Sequence, residues 1–479
     1  MTIREDDVTD PLWTGQELIA ALGLTAPTSA ASVAVESIVI DSRQAAAGDL
    51  FVALPGDPGP RFTATQRSDR DGHDYLAAAE AAGAVAAVVA RTKVVDTNVA
   101  RSAGALQLLP VSDTLDGLWA LGRFRRQQLP GPVIAVTGSS GKTTAKAFLA
   151  AALGAEATAG SLNNHLGVPL SLARTRRNAA LTVVEIGMNH PGEIAPLARL
   201  AAPDIAVVVN VGTAHRENFA TLDGIRKEKL LIAEGLKPGG TLVLHDEIDA
   251  HDCPGNPAAV LRFGLAEDSH VQLLDVQGLS ARFRVGREIV SAAVPGGGKH
   301  RALTLAAVFA VGMALSRPLA AVQSLAQDLV PAGRGQVAIA RGCALIDDSY
   351  NANPASMTAA LEQLADAPPL GGGRFALLGA MKELGAATAD EHRATLLRAR
   401  TLDGVWLIGS EWGETDGLGV PVLGHWRTFD PATQARLIEV LQSRLERNDN
   451  ILIKGSNSVF WAVGFARRLG QGLAGRAAE

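Results

Sequence analysis

An α/β protein built on a parallel, doubly wound sheet is the fold class this sequence predicts, and three observations carry the prediction. An apolar run, Val133 to Val136, passes through a glycine-rich turn into an alanine-rich helical pattern, Ala145 to Leu153. Around it, from about residue 109 to 329, apolar runs alternate with helical patterns, as strands and their crossovers do in such sheets. From about residue 330 onward the alternation repeats on a smaller scale, each run ending in a polar or glycine turn.

Composition narrows the classes. A chain of 479 residues has material for roughly two to four domains. Aromatic content of 4% implies aliphatic, closely spaced cores. A net charge of −5 leaves no electrostatic footprint for nucleic acid. The short clusters Arg123 to Arg126 and Arg174, Arg176, Arg177 read as solvated helix faces or a local anion site. Cys253 and Cys343 make no disulfide framework and fit a reducing cytoplasm. The acidic start, Met1 to Asp7, lacks a signal peptide's apolar centre. No apolar segment reaches the roughly 18 residues of a membrane span. His245, His251 and Cys253 match no zinc spacing and read as a polar loop.

In the first region, residues 1 to about 108, Val35 to Ile40 and Leu50 to Leu54 read as strands and Asp74 to Ala82 as a helix. Pro55 to Pro60 is a loop, and the polar, arginine-bearing stretch on to Asp71 reads as an extended surface excursion.

In the centre, strands are expected at Val133 to Val136, Leu181 to Ile186, Ile205 to Val211 and Thr241 to Leu244. A glycine hinge, Gly296 to Gly298, precedes a helix from about Ala302 to Leu315. The turn Gly138-Ser139-Ser140-Gly141-Lys142-Thr143-Thr144 has the order a phosphate-binding loop needs. Glycines let backbone N–H groups approach phosphate oxygens, and the helix N-terminus adds favourable partial charge. Lys142 can reach the β- and γ-phosphates, and a Thr143 or Thr144 hydroxyl can hold Mg²⁺. Val136 stands where the longer form of this loop has its first glycine. Glu185 and His215 fall at predicted carboxyl strand ends on the same edge as Lys142. Alone they read as a turn residue and a loop histidine; together a carboxylate and an imidazole beside a nucleotide can ligate a divalent metal.

In the last region, strands are expected at Ala344 to Ile346, Phe375 to Leu378, Val405 to Ile408 and Ile451 to Ile453. The turns that follow them, at Asp347-Asp348-Ser349, Gly379-Ala380, Gly409-Ser410 and Lys454-Gly455-Ser456, sit where open α/β sheets bind ligands.

These motifs resemble those of the Mur ligases, ATP-dependent amide-forming enzymes of peptidoglycan synthesis, over nearly the whole chain. Asp41-Ser42-Arg43, Gly48 to Leu54 and Asp71 to Asp74 carry the resemblance in the first region. In the centre it is carried by Thr137 to Thr144, Asn163-Asn164 with Gly167-Val168-Pro169, Glu185 to Glu193 and Ala214-His215. In the last region it is carried by Arg334, Asp347 to Pro354, Glu383 to Gly385, Glu391 to Arg393 and Lys454 to Ser456. The octet Asp347 to Pro354 points to the branch that adds D-alanyl-D-alanine.

The resemblance implies a three-domain architecture. An N-terminal mixed α/β domain, residues 1–108, would hold the UDP part of a UDP-linked muramoyl peptide through Ser42 and Arg43. A central P-loop parallel-sheet ATPase domain, 109–329, would bind ATP and Mg²⁺. A C-terminal Rossmann-like α/β domain, 330–479, would close over the nucleotide and bring D-alanyl-D-alanine. Also implied are nucleotide contacts from His300, Arg334, Asp348 and Asn351, and substrate contacts from Asn163 and Asn164. Lys142, Glu185, His215 and Lys229 would carry catalysis, with Lys229 carbamoylated to hold a second Mg²⁺. A lysine in a run such as Arg226-Lys227-Glu228-Lys229 is ordinarily solvated, so the resemblance alone singles it out. Lys454 and Ser456, at a strand end, suit an anion contact with the amine's carboxylate.

The chain departs from the family pattern at Leu231, Thr304, Ala380 and His165, where Glu, Asn, Asp and an acidic residue are common. Those departures leave open a ligase of the same scaffold acting on another acid and amine. A nucleotide-binding protein without catalysis is a third reading, and the intact Lys142, Glu185, His215, Lys229 and Asp348 stand against it.

Overall fold

The computed structural model describes residues 10–25, 30–57, 68–94, 103–158, 160–213, 217–366 and 371–475. Its centre is the strand Val133–Thr137, all five residues buried. Neighbours run parallel to it: Thr182–Glu185 and then Glu156–Ala157 on one side, Ile205–Val208, Thr241–His245 and Ala259–Gly264 on the other. Strands buried on both faces need mostly apolar residues, and Val133–Thr137 and Ile205–Val208 at the centre of the sheet have them. Successive side chains alternate between faces. Ile134 and Val136 join a core with Phe148 and Phe309, from the helices Lys142–Leu153 and Lys299–Ala314. Val133 and Ala135 join the opposite core with Val168, Leu197 and Ile225, from the helices Gly167–Arg174, Ile194–Ala201 and Leu222–Leu230.

The chain leaves Val133–Thr137 toward one side of the sheet and returns at Ile205–Val208 on the other. The reversal opens a crevice beyond the carboxyl ends of these two adjacent strands. The glycine-rich loop fills that crevice.

A six-stranded sheet follows, ordered Gln336–Ala340, Cys343–Asp347, Asn450–Lys454, Arg374–Gly379, Gly404–Ile408, Val422–Trp426; only the first strand is antiparallel. The first region holds a parallel sheet of Ser37–Val39, Asp49–Val52, Ala86–Ala90 and Gln107–Val111. A two-stranded pairing of Trp13–Thr14 with Ala34–Val35 lies beside it.

Several expectations are corrected. The strand foreseen from Val35 to Ile40 is broken at Glu36, because Val35 and Ile38 share one core and an unbroken strand would face them oppositely. The helix foreseen from Asp74 begins instead as a 3₁₀ turn, Gly72–Tyr75, capped by Asp71, and becomes α-helical at Leu76–Ala81. The strand foreseen to Val211 stops at Val208, since Asn210 is drawn into the glycine-rich loop. The helix foreseen from Ala302 begins at Lys299, directly off three glycines with φ of +70°, +64° and +86°.

The strands Val271–Gln277, Ser280–Val285 and Glu288–Ala293, which sequence reading passed over, extend the central sheet as an antiparallel meander. They are apolar on one face only, with Phe283 buried and Arg282 outward. The arginine clusters are solvated only in part: Arg123 and Arg176 are exposed, whereas Arg125, Arg126 and Arg174 turn inward. Arg126 donates to the carbonyls of Ala201 and Ala202, Arg174 donates to Ile38 O at 2.6 Å, and Arg125 lies 4.2 Å over the Trp13 ring. The excursion expected at 59–70 falls mostly outside the described residues.

Candidate nucleotide and metal site

The loop after Val133–Thr137 is held from behind. Asn210 accepts from Ser140 N at 3.0 Å and donates to Ser140 Oγ at 3.0 Å, while Ser139 Oγ accepts from Gly212 N at 2.8 Å. Gly141 has φ +78°, and a Cβ there would stand 3.4 Å from Thr304 Oγ1. That conformation turns the chain into the helix Lys142–Leu153, whose first N–H groups lack helical partners. Lys142 folds back to donate to Gly138 O at 2.7 Å. Burial lowers its pKa and the Arg334 charge adds to that, while Glu185 opposes it.

Glu185 ends the strand Thr182–Glu185 with 2% of its surface exposed. It accepts from Thr143 Oγ1 at 2.8 Å and from Asn163 Nδ2 at 2.7 Å, and Lys146 Nζ lies 3.8 Å away. Thr143 Oγ1 is also 2.9 Å from Ser161 Oγ, which accepts from Arg334 Nη2 at 3.0 Å. A buried carboxylate beside a hydroxyl is a hard-oxygen donor set that suits Mg²⁺. Among the described residues no group of three His, Cys, Asp or Glu could hold a metal.

His215 lies outside the described residues; Gly212 before it lines the cleft, and Glu217 after it donates its N–H to Glu383 O at 3.3 Å. Lys229 is 1% exposed on the helix Leu222–Leu230. Burial holds its amine well below the usual lysine range; the Lys142 charge adds to this and Glu228 opposes it. Glu228 accepts from Gly192 N and Ile194 N, capping the helix Ile194–Ala201. Leu231 packs against the same apolar cluster as Leu230.

The loop opens into a cleft of about 510 Å³ whose other wall comes from the last sheet. His300, Arg334, Asp348, Asn351 and Lys454 all line it. Lys454 donates to Asp348 Oδ2 at 2.7 Å and to Asn351 O at 3.1 Å. Burial, with Arg301 and Lys454 nearby, pushes the His300 imidazole down to about 3. Asn163 and Asn164 line the cleft as well, and Asn164 Oδ1 accepts from Leu166 N and Gly167 N.

Ser42 and Arg43 stand apart, in the 3₁₀ turn after Ser37–Val39; Arg43 is 83% exposed and paired with Asp41 at 2.6 Å. Ser456 is buried and donates to Ala380 O at 2.6 Å, so its hydroxyl serves the turn and not the cleft. Thr304 bonds back to His300 O at 3.0 Å. Sequence reading missed Lys146, Ser161 and Arg301. Lys146 was within reach, since it lies one helical turn beyond Lys142 on the same face.

Residues 136–312 match the model of the Mur ligase middle domain, and residues 333–457 that of the Mur ligase glutamate ligase domain. The UDP-N-acetylmuramoyl-tripeptide–D-alanyl-D-alanine ligase of Escherichia coli K12 is 33% identical over 400 residues, covering 80% of this chain and 83% of that one. A crystal structure of MurF from Acinetobacter baumannii is similar with a TM-score of 0.77 at 28% identity, over 96% of this chain and 99% of that one. The MurF ligase of Thermotoga maritima in complex with ADP gives a TM-score of 0.73 at 28% identity, covering 92% and 98%.

Proposed function

The chain belongs to the Mur ligase family, and from that membership we propose that it joins D-alanyl-D-alanine to UDP-N-acetylmuramoyl-tripeptide at the expense of ATP. The observation that carries the reading is the single cleft lined by both the glycine-rich loop and the Asp348–Asn351 turn. In this reading residues 1–108 hold the UDP moiety through Ser42 and Arg43, 109–329 hold ATP, and 330–479 bring the amine. The two free cysteines agree with a cytoplasmic setting.

The tripeptide carboxylate attacks the γ-phosphorus, and ADP leaves. The amine then attacks the acyl phosphate carbon, losing a proton as phosphate departs and an amide forms. Two anions meet in the first step, so charge stabilisation dominates the barrier. Lys142 and the N-terminus of Lys142–Leu153 face the phosphates, and Asn163 orients Glu185. Thr143, Glu185 and His215 would hold Mg²⁺, which supplies compensating charge between the anions. Lys229, whose amine burial pushes well below the usual lysine range, is suited to adding CO₂ as a carbamate whose charge would pair with Lys142 and take a second ion.

The experiment mixes the protein with ATP, Mg²⁺, bicarbonate and both substrates and follows phosphate and product mass. An ADP-forming reaction with the pentapeptide product is the expected result. Phosphate release only with a different acid would overturn the substrate assignment and leave the ligase chemistry standing.

A further inference from the structure

Arg301 is charged, 4% exposed and has no place in the chemistry above. Its Nη1 donates to Gly296 O at 2.8 Å, Gly297 O at 3.1 Å and Gln363 Oε1 at 2.9 Å, and its Nη2 donates to Arg334 O at 2.8 Å. Gln363, on the helix Pro354–Asp366 packed against the six-stranded sheet, returns a bond from Nε2 to Gly296 O at 2.7 Å. The side chain therefore ties the glycine turn ahead of Lys299–Ala314 to two separate pieces of the last region. One of them, Arg334, lies 4.2 Å over the Tyr350 ring and reaches Ser161 beside Thr143.

We propose that Arg301 is a positioning residue for the nucleotide: it fixes the last sheet against the glycine turn and so presents Arg334 to the phosphates. A guanidinium suits this because its planar fork offers five donors in fixed directions, where a lysine ammonium offers a single point. Gly335 is matched to it. Its φ is +92°, and a Cβ there would stand 2.0 Å from Arg301 Nη2. The inference rests on Arg334 being a nucleotide ligand, and the test separates the two.

The affinity of the full chain for the Mg²⁺ complex of adenylyl imidodiphosphate, which undergoes no transfer, is measured by calorimetry. Wild type is compared with Arg301→Met, Arg301→Lys, Gln363→Met, Arg334→Ala and the Arg301→Met/Arg334→Ala double variant. Arg301→Met weakens binding about tenfold, Arg301→Lys does not restore it, and the double variant binds no worse than Arg334→Ala alone. Unchanged affinity in Arg301→Met, or full additivity in the double variant, overturns the proposal while leaving Arg334 as a ligand. Unchanged affinity in Arg334→Ala removes the premise itself and the proposal with it. If Arg301→Met does not fold, Gln363→Met decides, because it cuts the tie from the glycine turn and Arg301 to the helix Pro354–Asp366 while leaving Arg301 in place: a several-fold loss is expected, and wild-type affinity overturns the proposal.

Discussion

Lys142, half-buried in the phosphate loop, and Lys229, buried near it, are suited to opposite charges. Lys142 keeps an acceptor, Gly138 O, and a nearby carboxylate, Glu185, so it serves as a cation. Lys142→Ala should leave the thermal transition in place and lower turnover by about a hundredfold or more; steady-state phosphate release checks this. Lys229 has Lys142 as an unfavourable neighbour, which conversion to an anion would turn favourable. Lys229→Ala should be inactive, and short carboxylic acids should partly restore it in a concentration-dependent way. His300 supplies a pH prediction. Its folded pKa of about 3 lies below the ordinary value near 6.5, so the fold holds it neutral while the unfolded chain binds a proton. Its contribution to stability is complete above about pH 6.5 and drains away as pH falls toward about 3. In ¹H–¹⁵N spectra its ring should not titrate above pH 5, and His300→Gln should flatten the acid limb of the stability curve.

At the scale of elements, legibility followed burial. Val133 to Val136 and Leu181 to Ile186 were readable because both faces are covered and apolar residues dominate, with only Thr182 and Glu185 polar. The meander 271–293 was not, since Arg282 and Arg284 alternate with Phe283 and Val285 in short runs that carry no strong signal. The phosphate loop and Glu185 were legible because their chemistry is tied to strand ends. Arg301 was hidden because its partners are carbonyls from distant turns, which leave no sequence pattern. The Gly72–Tyr75 turn also hangs on one side chain. Asp71 accepts from His73 N at 3.0 Å and pairs with Lys93 at 2.9 Å. Burial raises its pKa, but the hydrogen bonds from His73 and Lys93 outweigh that and hold it at about 2. Its folded value is depressed, so the stability it gives is present above about pH 4 and lost as pH falls through about 2. Asp71→Ala should cost about 1 kcal/mol at neutral pH by denaturant titration, a difference that shrinks toward pH 2.

At the scale of the whole molecule, the first sheet borrows its core from sequence that comes much later. Trp13, Leu50, Val88 and Leu109 pack with Leu118, Leu121, Leu170 and Ala173. Trp13 Nε1 donates to Ala173 O at 2.8 Å, and Arg174 bonds the carbonyl of Ile38. A fragment ending after Val111 should therefore bind hydrophobic dyes and show little protection from exchange, whereas one cooperative fold for that fragment would contradict the shared core. On the ribosome the same arrangement imposes a delay. The ~60 residues between Val111 and Arg174 take roughly 3–12 s to add at ~5–20 residues per second. Through that interval the nascent amino-terminal strands have no lid for their apolar face, which makes this stretch of synthesis the window in which a holding chaperone would matter most.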